Sequence, residues 1–129
     1  MKRTVICVFI FLALCQPTSA RPWYKSRRFW ARFAVDASAT EFDYTTSQMI
    51  FAHGFPESNP LFFAKQPSLA RMNLIGMPVT FGIDYASFRM SQSRKPWVRK
   101  ISWALPATDA GYHVGLGAVN LRKLKESTK

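Results

Sequence analysis

Three stretches of the chain pair an apolar run with helix punctuation. The first covers residues 39–53. Before it, Ser38-Ala39-Thr40-Glu41 reads as a capping box, and Gly54 followed by Pro56 supplies a stop. At 1.5 Å per residue this predicts a helix of roughly 22 Å, short of a hydrocarbon core of ~30 Å. Glu41, Asp43 and Gln48 add to the cost of inserting it alone. A second helix is expected over about 68–90, with Ser68 as its cap and a Pro78 kink inside the uncharged run LIGMPVTFGI. The third stretch, ISWALPATDAGYHVGLGAVNL (101–121), is long enough to span and holds Gly111-x-x-x-Gly115, a spacing that lets helix backbones approach. Between the first two, Asn59 can cap a short helix that begins PLFFA with Pro60 at its first position. The expected fold is therefore all-α: a small bundle of three main helices plus a short one, embedded in or lying on a membrane. A β reading competes locally, because Val79, Phe81, Ile83 and Tyr85 alternate with smaller or polar residues. A transmembrane barrel needs at least about eight such strands, and the sequence offers three or four at most.

Residues 1–20 stand apart. Lys2 and Arg3 precede an apolar run and then Thr18-Ser19-Ala20, the layout of a secretory signal peptide, with an uncleaved anchor as the alternative. Cys7 and Cys15 both fall in this segment, so a cleaved chain has neither disulfides nor thiolate metal sites. Leu14 before Cys15 argues against a lipoprotein. The remainder divides into a basic-aromatic juxtamembrane segment (21–35), a helical domain (36–122) and a basic tail (123–129).

Charge then narrows the partner. Without Lys2 and Arg3 the formal charge falls from +11 to +9. That excess suits an anionic surface, and export argues for lipid over nucleic acid. Cations alternate with large aromatics in two places: Trp23, Tyr24, Arg27, Arg28 and Trp30 in the first, Trp97, Arg99, Lys100 and Trp103 in the second. Trp and Tyr settle at headgroup level while Lys and Arg snorkel to phosphates, so these residues are expected at a membrane interface. Of the loop charges (Lys65 alone in 54–67, five cations in 89–100), three spans would put the five-cation loop outside, against the positive-inside rule, while two spans, the second and third helices, meet it only in part. Location is accordingly expected at an inner membrane or on its periplasmic surface, with lipid headgroups, or another membrane protein, as partner.

Two helix faces carry the candidate chemistry. Asp43, Thr46, Ile50 and His53 share a stripe on the first helix, turned either into the bundle or to water. Asp109, His113, Gly117 and Asn120 share one on the third, where Asp109 and His113 could grip a metal, share a proton, or simply hydrogen-bond within the helix. Glu57 is the residue the turn does not need, and it could face solvent, His113 or an arginine. No hydrolase, zincin, nucleotide-loop or cysteine-cluster motif occurs, and no cofactor is predicted.

The helix D-x-x-T (Asp43, Thr46), the loop E-x-N-P (Glu57, Asn59, Pro60), the Pro-kinked apolar helix and the pair His113 and Asn120 together resemble small uncharacterised bacterial membrane proteins, a domain of unknown function. The resemblance covers about residues 39–121. It implies a helical membrane fold and no activity. The expectation is a non-enzymatic accessory or scaffold protein. The alternatives are a membrane enzyme or metal site built from Asp43, Glu57, Asp109 and His113, and an exported peripheral protein that binds anionic lipid.

Overall fold

The computed structural model describes residues 22–56, 62 and 64–127. Helix α1 runs Arg27–Ala52, α2 Leu69–Ser91, α3 Pro96–Ile101 and α4 Ala104–Ser127, after a 3₁₀ turn at Trp23–Lys25. No β-strand occurs among the described residues, so the all-α expectation holds and the alternation around Val79 lies within α2.

The true start of α1 is Ser26, whose hydroxyl accepts from the Phe29 N–H at 3.2 Å. The expected start at Ser38 is corrected: Ser38 Oγ donates to the Ala34 carbonyl, a bond made inside a helix already under way. Residues 22–35 of the basic segment comprise the 3₁₀ turn and the opening turns of α1. Gly54, at φ 85°, takes the left-handed conformation that terminates the helix. Ser68 caps α2 as expected, accepting from the Arg71 N–H at 3.3 Å. The third stretch is not one helix from 101. A short α3 with Pro96 in its first turn precedes α4, which begins at Ala104 and runs on to Ser127. The expected signal segment, Glu57, Asn59, Pro60 and most of the short helix after them lie outside the described residues.

Helix α1 is the centre of the bundle, packed mainly on α4 and then on α2. Its two ends are held by hydrophobic residues. At the far end Tyr44, Ile50, Phe51, Phe62 and Met72 form one cluster. At the near end Trp23, Phe29, Phe33, Phe81 and Phe88 meet edge-on or stacked, with centroids 5.4–6.3 Å apart across the 3₁₀ turn, α1 and α2. A Cβ on Gly76 would overlap the Tyr44 hydroxyl, so α2 approaches α1 closely there.

The middle of the bundle reverses the usual arrangement. Among the described residues twelve polar or charged side chains are buried against nine hydrophobic ones. Meanwhile Leu74, Val35 and Trp103 are 77%, 66% and 61% exposed. No described helix is long and apolar enough to cross a membrane, which corrects the expected transmembrane helices. The physical reason is that polar residues occupy the inward face of every long helix.

Candidate functional site

The inward faces of α1, α2 and α4 meet in a polar seam with two parts. In the first, the His113 Nδ1–H donates to Asp43 Oδ2 at 2.8 Å, both residues being buried. Two turns along α4, the Asn120 amide reaches Ser47 Oγ at 3.0 Å, Thr46 Oγ1 at 3.3 Å and Asp43 Oδ1 at 3.4 Å. Thr46 spends its own proton on the carbonyls of Phe42 and Asp43, which leaves its oxygen as an acceptor for Asn120. The Tyr44 ring stands edge-on to the imidazole, centroids 5.7 Å apart. Burial pulls the His113 pKa down, but the Asp43 hydrogen bond and the charges of Asp43, Asp109 and Asp36 outweigh it, and the net shift is upward. With Nδ1 protonated, the neutral ring offers Nε2 as a proton acceptor.

The second part is acidic. Asp36 and Asp84 are 1% and 2% exposed, and neither carboxyl finds a hydroxyl or N–H donor. Each acts on the other's titration across the seam, and each is easier to bury with a proton than without. Burial, with Asp109 and Asp84 beside it, raises Asp36 to about 7. Burial also raises Asp84 to about 6, against the lowering influence of Asp36 and of the nearby Arg32 charge. Asp109, half-buried, is raised by burial and held back by His113 and the Thr80 hydroxyl. Thr40 and Thr80 join α1 to α2 at 3.2 Å between the two parts. Near the cationic end, Arg32 Nη1 donates to Ser87 Oγ at 3.3 Å, and Ser87 donates onward to the Ser102 carbonyl at 2.6 Å.

Of the sequence candidates, the structure brings together Asp43, Thr46, His113 and Asn120. It leaves His53 exposed, its ring bonded to the Met49 carbonyl. The expected Asp109–His113 bond is replaced by the longer-range one to Asp43. Among the described residues no group of three His, Cys, Asp or Glu side chains is placed to hold a metal ion. Sequence reasoning missed Asp36, Thr40, Ser47, Thr80, Asp84 and Ser87. Their spacing carried a signal: 36, 40, 43, 47 and 80, 84, 87 step by four and three, the period of a helix seam.

The nine predicted interface residues do not spread round the bundle. Tyr24, Arg27, Arg28 and Trp30 at the start of the chain's described part, and Trp97, Arg99, Lys100 and Trp103 around α3, are all exposed, whereas Trp23 is half-buried in the aromatic cluster. The contacts of Trp23 with Phe81 and Tyr85 and of Arg32 with Ser87 place both groups at one end. That end carries nine cations over 22–33 and 88–103 and no acidic residue.

Fold and site together define a small helical bundle with a hydrogen-bonded polar interior and one cationic, aromatic pole. No protein-family model, curated protein or solved structure matches the chain.

Proposed function

We propose that this is an exported, non-enzymatic accessory or scaffold protein that docks on an anionic membrane surface through its cationic, aromatic pole. The observation that carries the reading is that pole: nine cations, no acid, and exposed Tyr24, Trp30, Trp97 and Trp103 among them. Cations there would meet phosphates while the Trp and Tyr rings lie at headgroup level. Residues 33–52, 72–88 and 104–121 of the three long helices contain no Lys or Arg, so their cations gather at the helix ends. Within this reading the Asp43–His113–Asn120 bonds fix the packing of α1 on α4.

Co-sedimentation with phosphatidylglycerol-containing vesicles tests it. The protein should pellet with anionic vesicles, be released by salt, and ignore neutral ones. Each exposed cation removed should weaken binding about fivefold, at about 1 kcal/mol per charge, so Arg99→Gln with Lys100→Gln is the informative pair. Equal binding to neutral vesicles would refute the electrostatic reading. Retention in the membrane pellet after carbonate extraction would refute peripheral docking.

A further inference from the structure

The groove at the cationic pole extends that reading from a surface to a specific site. Between α1 and α4 lies an open cavity of about 410 Å³, walled by Ala31, Val35, Trp103, Pro106, Ala107 and Ala110. Alanines on both helices keep it open where larger side chains would have closed the seam. Its lining is almost wholly apolar, yet Val35 and Trp103 stay largely exposed, so no described part of the chain fills it. Arg32 also lines it, and one of the guanidinium's five N–H groups goes to Ser87. Arg28 lies one turn earlier on α1 and Lys100 three residues before Trp103, both exposed. Asp36 borders the groove from beneath, but its carboxyl faces the interior and Asp84, and with a pKa of about 7 it is substantially protonated at neutral pH.

An apolar slot at the cationic pole, with the Arg32 guanidinium in its lining, fits one kind of ligand. We propose that this groove binds the hydrocarbon chain of a single anionic amphiphile, such as one acyl chain of an acidic phospholipid, with the phosphate held by Arg28, Arg32 and Lys100. The size suits a small-ligand pocket, and the Arg32 charge in its lining matches an acidic headgroup. The site rests on the membrane reading for its biological source of lipid, but binding of a monomeric amphiphile does not require a bilayer.

Alkyl phosphates from octyl to dodecyl, kept below their micelle concentrations, separate the two. Calorimetric titration of the full-length protein should show affinity rising about fourfold per methylene, the equivalent of about 0.8 kcal/mol for each one buried. Alkyl maltosides of equal length should bind at least tenfold more weakly. Ala107→Trp, which fills the groove, should abolish the chain-length dependence while leaving vesicle co-sedimentation intact. Trp103→Ala, at an exposed position that leaves the fold unburdened, should weaken dodecyl phosphate several-fold. Affinity independent of chain length, or unchanged in both variants, overturns the groove even if the protein still pellets with anionic vesicles. Conversely, chain-length-dependent binding by a protein that ignores vesicles upholds the groove and refutes surface docking. Maltosides that bind as tightly as phosphates overturn the role given to the cations.

Discussion

Replacing Asp36 by asparagine should stabilise this protein at alkaline pH and leave it nearly unchanged in acid. In the folded state the Asp36 carboxyl rises from an ordinary value of 3.8 to about 7. Below the lower value both folded and unfolded chains hold the proton, and burial of a neutral acid carries no ionic penalty. Between the two values the folded state binds more protons than the unfolded one, so stability falls as pH rises. Above about 7 the loss is complete, and at about 1.4 kcal/mol per pH unit it amounts to at most about 4 kcal/mol. Asp84, raised to about 6, competes for the same proton, so its contribution does not simply add. The raised His113 acts in the same direction: its charged form stabilises below its ordinary value and is lost as pH passes the folded one. The substituted amide removes the ionic penalty and offers an N–H to Asp84, at some cost for a buried polar group with incomplete partners. Urea unfolding followed by circular dichroism should find Asp36→Asn about 2 kcal/mol more stable than the parent near pH 8 and within about 1 kcal/mol of it near pH 4. Parent stability that does not fall between these pH values, or a variant less stable than the parent near pH 8, would refute the buried-acid account.

Other substitutions probe other parts of the fold. Asn120→Ala withdraws the donor shared by Asp43, Thr46 and Ser47 and should lower stability by about 1–3 kcal/mol in the same assay; an unchanged midpoint would mean the clasp contributes nothing. Gly76→Ala and Gly82→Ala should part in sign. The first drives a Cβ into Tyr44 and should cost about 1–3 kcal/mol. The second meets nothing within 4 Å and should gain about 0.5–1 kcal/mol from helix propensity. Ser26→Ala should destabilise by about 1 kcal/mol through loss of the cap on α1, whereas Ser38→Ala, whose hydroxyl caps nothing, should be close to neutral; a larger effect at Ser38 would restore the helix start read from the sequence.

The all-α class, the Ser68 cap, the Gly54 stop and the shared face of His113 and Asn120 were legible because each rests on local geometry, and local spacing is what a sequence displays. Ser38 misled for the same reason: a hydroxyl followed three residues later by a glutamate looks identical whether it begins a helix or returns a bond to the carbonyl four residues back, and only the upstream residues decide. Starting α1 at residue 39 put Asp36 outside the helix, so its four-residue step to Thr40 had no face to belong to. The same expectation that buried seams are apolar hid Thr80, Asp84 and Ser87, although they keep seam spacing within an otherwise hydrophobic run. Pairing the inward residues required tertiary information, since Asp43 meets His113 seventy residues away rather than Asp109 meeting it four away. What decides between those partners is the packing of α1 on α4. It brings the Asp43 carboxylate within 2.8 Å of the imidazole, while Asp109, one turn earlier on α4, acts on His113 through its charge. The polar interior is therefore two compartments, one satisfied and one short of donors. The pH dependence argued for Asp36 belongs to the second of them.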